Sequence, residues 1–262
     1  MPPIASSFAP QLTALLFVFG LLVGSFLNVV IYRLPRELSV VRPRSRCTSC
    51  GGAIAPWWNV PVISWLLLRG KCALCRAPIS ARYPAVELAT ALLFAAAARL
   101  DGLSVVLPFH LFFLAAMIAV TLIDLDFQII PDEISLSGAV LGLACAALEG
   151  RIVDGLIGAV VGSGILWAIG AAYFALRKVE GMGGGDVKLA VMLGAFLGWK
   201  GVLLTLFASS FVGAIVGIAL IRLKGGDRQT RIPFGTFLAP AAVFVLFTGG
   251  PLIEWYAGFF SR

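Results

Sequence analysis

Long apolar runs separated by short polar joints dominate the chain. Uncharged or nearly uncharged stretches fall at 11–32, 84–99, 103–123, 133–149, 152–176, 187–199, 201–221 and 236–260. Most approach the roughly 20 residues that a helix needs to cross a bilayer. The pattern therefore predicts an all-α polytopic membrane protein with about eight transmembrane helices. Two runs are short, 133–149 and 187–199, and the second directly follows a glycine-rich break. A partial or deeply set helix is expected there, because lipid tolerates a broken backbone only where protein shields it or where it lines a cavity. One long polar segment interrupts the series, so the chain divides into a first transmembrane helix (1–32), a polar insert (33–83) and a larger membrane domain (84–262).

Composition agrees with this class: of 262 residues, 60% are hydrophobic and the mean hydropathy is +1.00, well outside the range of soluble domains. No Lys or Arg precedes Arg33. The first run thus lacks the basic start of a secretory signal and is too long for one, so it is expected to be retained. The formal net charge of +7 could suggest a nucleic-acid partner, but the placement of the charges argues against one. Sixteen of the twenty basic residues fall in alternate loops (33–82, 177–188 and 222–231), leaving only Arg99, Arg151, Lys200 and Arg262 on the other face. By the positive-inside rule the basic face is cytoplasmic, and both termini face outward.

That assignment puts the insert in a reducing compartment, where disulfides are disfavoured. Its cysteines run Cys47-x2-Cys50, then twenty-one residues, then Cys72-x2-Cys75, with Gly51, Gly52 and Gly70 beside the pairs. This is the tetrathiolate pattern of a closed structural zinc site, and a small segment rich in Pro and Trp needs such a staple. Cys145, alone in an apolar run, reads as a core residue.

Among the thirteen acidic residues, those near loops, such as Asp101, Glu149, Asp154 and Glu180, read as solvated, and Asp126 as interfacial. Asp132, after Pro131, reads as a helix start. Asp186 lies in Gly181–Leu189, GMGGGDVKL. Glycines at 183, 184 and 185 permit positive φ and the close approach of another segment. Asp186 either caps a helix starting at Val187 or is a functional carboxylate at membrane depth. Asp124 ends an apolar helix, where the macrodipole opposes a negative charge, so capping does not account for it. Alternation of the loops places both on the cytoplasmic face, where they can meet as a proton-sharing dyad of the aspartic-protease kind. The helix ends would then make Asp186 the base and Asp124 the acid. A single histidine, His110, excludes a multi-histidine metal centre and reads as an interfacial polar residue. Gly162-Ser163-Gly164 reads as a packing stripe rather than a serine elbow. Readings from other classes are a transporter or proton pathway built on intramembrane carboxylates, and a zinc-ribbon scaffold without chemistry.

Taken together, Gly24-Ser25-Phe26-Leu27-Asn28 through Arg33-Leu34-Pro35, the paired CxxC, Asn59 through Gly70, Arg82-Tyr83-Pro84-Ala85-Val86-Glu87-Leu88, Ile123-Asp124 and Gly183-Gly184-Gly185-Asp186 resemble the type IV prepilin leader peptidases. These are bacterial inner-membrane aspartic proteases that also N-methylate their product. The resemblance covers nearly the whole chain and maps the family's catalytic aspartates onto Asp124 and Asp186. It implies removal of a short basic leader from type IV prepilins and type II secretion pseudopilins, after glycine and usually before Phe. Methyl transfer from S-adenosylmethionine to the new terminus would follow. The cysteine-bearing insert marks the bifunctional members. Glu87, Asn28 and Arg33 are the residues it offers for the methyl donor, and Gly24, Asn28 and Arg33 read equally as packing and anchoring positions. The chain departs from the family at Thr48, Phe127 and Gly184, none of them a catalytic aspartate. Membrane lipid is the remaining expected partner.

Overall fold

The computed structural model describes residues 5–179, 182–224 and 233–260. Glu180, Gly181, Arg262 and the basic loop residues Arg228 and Arg231 lie outside the described residues. The chain forms two compact units, Met1–Ala115 and Ala116–Arg262, and the described residues contain helices but no β-ladder beyond two isolated bridges.

In the first unit α1 (Ala5–Arg33) and α3 (Arg82–Asp101) lie against each other. Their close approach has a sequence cause. Gly20 and Gly24 are one helical turn apart, and a Cβ on either would sit 2.6 Å from the Cα of Ala91 or Glu87, so only glycine permits this separation. Between these helices run two short 3-10 turns and α2 (Ile63–Leu67). The unit also contains the start of α4 (Leu107–Phe127). There His110 Nδ1 and Asp101 Oδ2 are 2.8 Å apart and both side chains are buried. These two residues were expected at an interface and in solvent. Pairing with one another is what makes their burial tolerable.

The second unit holds the end of α4, then α5 (Asp132–Leu148), α6 (Ile152–Arg177), α7 (Gly184–Lys224) and α8 (Gly235–Phe260). Pro131 occupies the N-cap of α5, so Asp132 is its first helical residue, and it pairs with Lys188 Nζ at 2.6 Å. Small residues again set the packing. Added Cβ atoms on Gly158 and Gly194 would strike one another's backbone, and one on Gly162 would meet Val202 Cγ2 at 2.6 Å. Within the Gly162-Ser163-Gly164 stripe, Gly162 packs as expected, whereas a Cβ on Gly164 would meet nothing within 4 Å.

Among the described residues six helices are long and apolar enough to cross a membrane, where about eight were expected. The difference lies in two places. α5 has 17 residues, short of a full span. α7 has 41 residues and a single break at Gly198, φ 70° and ψ 179°, which separates the runs expected at 187–199 and 201–221. Two charges complement the break: Arg151 Nη2 donates to the Phe196 carbonyl at 2.6 Å, and the Asp154 carboxylate occupies the space a Gly198 side chain would need. A cation thus meets the carbonyl end of the first arm and an anion the amide end of the second, as helix dipoles favour. Arg151 also holds Glu149, so neither Glu149 nor Asp154 is merely a solvated helix end. The outward surfaces carry bulky apolar side chains such as Val160, Trp167, Phe207 and Phe211, all exposed, as expected where lipid is the solvent. This is a polytopic membrane protein.

Candidate functional site

Three helix ends of the second unit converge on the two singled-out carboxylates. Asp124 occupies the last turn of α4 and is 4% exposed. Its Oδ2 accepts the Thr236 backbone N–H at 2.7 Å and faces Thr236 Oγ1 at 3.2 Å, and the Gly235 backbone bonds the same carboxylate. A Cβ on Gly235 would sit 2.9 Å from that oxygen. The start of α8 therefore supplies what the end of α4 lacks: amide donors and the positive end of a helix dipole. Sequence reading missed Gly235 and Thr236. The available signal was a Gly-Thr pair opening an apolar run, an ordinary helix-start pattern with no chemistry of its own.

Asp186 lies in the first turn of α7, which begins at Gly184 rather than Val187. It is the third helical residue, and its carboxylate takes a hydrogen bond from the Gly183 backbone, the contact an acidic side chain at this position makes back to the cap. The capping reading thus accounts for one oxygen. The other, Oδ1, is buried without a partner, and native proteins rarely leave such an atom except where it has work to perform. Asp186 lies within electrostatic range of Asp124. None of Gly183, Gly184 and Gly185 adopts positive φ, but the expected close approach occurs at Gly185, whose added Cβ would be 3.0 Å from Ile130 Cβ. Ile130 also fills the space before Gly235, with its Cδ1 2.9 Å from the ideal Cβ there. One isoleucine thus spans the starts of α7 and α8. Assigning base and acid from the ends of α4 and α7 alone leaves out the start of α8, which faces Asp124, so helix ends by themselves do not split the pair.

In the first unit the Sγ atoms of Cys47, Cys50, Cys72 and Cys75 all lie within 4.8 Å of one another, with Cys47 and Cys75 3.9 Å apart. Four thiolates around one zinc ion at about 2.3 Å would sit roughly 3.8 Å from each other, so the donor set fits that ion. Two copies of one loop build it. The Cys47 carbonyl accepts the Gly51 N–H at 2.9 Å and the Cys72 carbonyl accepts the Arg76 N–H at 3.0 Å. Gly51 and Arg76 take the same left-handed conformation, φ 70° and 60°. Backbone N–H groups of Cys50 and Ser49 hold the Cys47 thiol down to about 6. At Cys75 the Ala77 N–H acts in the same direction, but burial and the neighbouring thiols outweigh it and push the group up to about 11. Four crowded thiols cannot all ionise unless a cation joins them.

The same unit has a half-open cavity of about 840 Å³ lined by Ser25, Asn28, Arg33, Trp57, Trp65 and Glu87 among others. Its size and its mix of aromatic wall with a few polar groups suit a small molecule. All three residues expected to hold the methyl donor are brought here. Each also has a structural partner: Asn28 Nδ2 donates to the Tyr83 carbonyl at 3.1 Å, Arg33 Nη1 to the Ser39 carbonyl at 3.0 Å, and Glu87 Oε2 accepts the Val62 N–H at 2.7 Å. Gly24, by contrast, serves packing.

Comparison with known proteins adds the following. A family model described as the bacterial peptidase A24 N-terminal domain matches residues 18–100, and one described as the type IV leader peptidase family matches residues 111–218. A prepilin leader peptidase/N-methyltransferase of Aeromonas hydrophila is 40% identical over 269 residues, covering 93% of each chain. The protein of that name from Pseudomonas aeruginosa is 40% identical over 267 residues, covering 92% of each. The one from Stutzerimonas stutzeri is 41% identical over 267 residues, again covering 92% of each. No solved structure matches the chain.

Proposed function

Because the chain belongs to the type IV leader peptidase family, we propose that it cleaves the basic leader from type IV prepilins and type II secretion pseudopilins after glycine, and then N-methylates the new terminal residue. The observation that carries the peptidase half is the buried Asp186 Oδ1 without a partner beside Asp124. Two carboxylates so placed hold one proton between them. One takes a proton from water, the water oxygen attacks the scissile carbonyl, and the other protonates the departing amine. Thr236 and Gly235 hold Asp124 in place while this occurs.

For methyl transfer, the cavity of the first unit takes S-adenosylmethionine, with Asn28, Arg33 and Glu87 in its wall. The donor supplies an electrophilic methyl group. Trp57 and Trp65 line the same cavity and would give the donor an aromatic wall. Zinc bound by Cys47, Cys50, Cys72 and Cys75 ties together the two loops on which part of that wall is built, since Cys47 and Cys72 also line the cavity. In this reading 1–32 is the first span, 33–83 the zinc insert serving methylation, and 84–262 the peptidase domain. The reading includes a bacterial inner membrane with both sites facing the cytoplasm, supported by the basic loops, which would also attract anionic lipid. Nucleic acid has no part in it.

The test uses detergent-solubilised protein and a prepilin bearing a Gly-Phe junction, followed by intact mass with and without S-adenosylmethionine. A leader-sized loss that vanishes in Asp124→Asn and in Asp186→Asn, with one methyl mass added only when the donor is present, is the expected result. Cleavage that persists in either variant would overturn the dyad. Absence of any methyl mass would overturn the second activity.

A further inference from the structure

Glu87 is 8% exposed, and both partners its carboxylate has are groups of the protein itself: the Val62 N–H and the side chain of Ser25. Val62 is the unusual one. It has φ 60° and ψ −50°, and the Ile63 N–H reaches back to the Pro61 carbonyl at 2.6 Å. Pro61-Val62-Ile63 is therefore a γ-turn of the rarer, strained hand, with a β-branched residue in a region such side chains avoid. A strained backbone persists only where its surroundings over-determine it.

Here they do. The turn launches α2 directly, Ser64 Oγ in the first turn of α2 accepts the Val60 N–H at 3.0 Å, and Ser64 Oγ donates to the Trp57 carbonyl at 3.3 Å. Glu87 from α3 accepts the Val62 N–H of the turn, and Ser25 from α1 bonds the same carboxylate. Val60, Val62, Ser64, Trp57, Ser25 and Glu87 all line the cavity, so the turn is part of its wall.

We propose that Glu87 is a positioning residue for methyl transfer. It holds the 61–63 turn in its strained form against α1 and α3, and thereby sets the aromatic wall of the donor cavity, acting through Val62 rather than through its charge on the donor. This rests on the cavity being the S-adenosylmethionine site. The geometry makes a specific demand: two hydrogen bonds, an acceptor for Val62 and a partner for Ser25. A glutamine supplies both without a charge, and an alanine supplies neither. A glycine at 62 would need no such hold, because it adopts φ near 60° freely.

The experiment compares wild type, Glu87→Ala, Glu87→Gln and the double variant Glu87→Ala/Val62→Gly, each full-length in detergent and monodisperse. Binding of S-adenosylhomocysteine is measured by calorimetry and amide hydrogen exchange across 57–68 is followed in parallel. Loss of the hydrogen bonds in Glu87→Ala should weaken binding about tenfold and speed exchange at 60–66. Glu87→Gln should match wild type in both readouts, and Val62→Gly should recover most of what Glu87→Ala loses. Glutamine as damaging as alanine, or no recovery from Val62→Gly, would overturn the proposal and leave the cofactor reading standing. A wild type that does not bind S-adenosylhomocysteine would remove the cofactor reading instead. Exchange alone would then decide, and unchanged exchange at 60–66 in Glu87→Ala would refute the hold on the turn.

Discussion

Asp124 sits where a helix end disfavours it, and Thr236 is the residue that makes the position tenable, with a backbone and a hydroxyl group on one oxygen. Replacing Thr236 by Val removes the hydroxyl and keeps the amide. A single hydrogen bond to a charged or proton-sharing group is worth about 1.5 kcal/mol or more, so kcat for prepilin cleavage should fall roughly tenfold, while Thr236→Ser stays near wild type. Steady-state cleavage assays on the three proteins check this. Gly235→Ala is harsher, since its Cβ would lie 2.9 Å from both Asp124 Oδ2 and Ile130 Cδ1. Cleavage should drop by at least two orders of magnitude with the protein still folded, the general penalty for displacing a reacting group by about an ångström. The coupled carboxylates further predict a pH–rate profile with two limbs whose apparent pKa values belong to the pair. A single-limbed profile would count against shared protonation.

At the scale of the element, α7 shows how a charge pattern and a glycine cooperate. A straight helix of 41 residues would run about 60 Å, twice the hydrocarbon thickness. The break at Gly198 redirects it, with Arg151 and Asp154 complementing the two exposed ends. Gly198→Ala would place a Cβ into the Asp154 carboxylate and force a left-handed φ on alanine. A loss of about 2 kcal/mol is expected, visible as earlier thermal unfolding in detergent. Asp154→Ala in the same background should relieve the clash and return part of the stability. The split between the two runs was legible from hydropathy alone, because Lys200 interrupts them. The partners at the break were not, because Arg151 and Asp154 read as loop charges until α6 is laid against α7.

At the scale of the whole molecule, the candidate sites fall in two compact units, with Cys47, Cys50, Cys72, Cys75 and the cavity in the first and Asp124 and Asp186 in the second. Removing zinc with a strong chelator, or replacing Cys72 by Ser, should therefore abolish methyl addition while cleavage declines far less. Cys72 is buried and lines the cavity, and a closed tetrathiolate site is commonly the folding energy of the segment it staples. Intact-mass analysis of one prepilin reports both activities in a single spectrum, and metal content by elemental analysis confirms the loss.

The sequence by itself determined the membrane class and the spans with full-length apolar runs, and singled out the four cysteines and the two aspartates as candidates, for a common reason. Each is a local signal, whether a run length, a fixed spacing, or a charge where a bilayer makes charge expensive. Tertiary structure alone decided what those residues touch. Asp124 finds its donors 112 positions away at the start of α8, and His110 finds Asp101 across a turn. Glu87 holds a strained turn 25 positions before it. Such pairings depend on which helix lies against which, and that is set by where glycines allow two backbones to meet. A short motif carries no record of its distant neighbour, so the aspartates could be picked from the chain while the threonine that serves one of them could not.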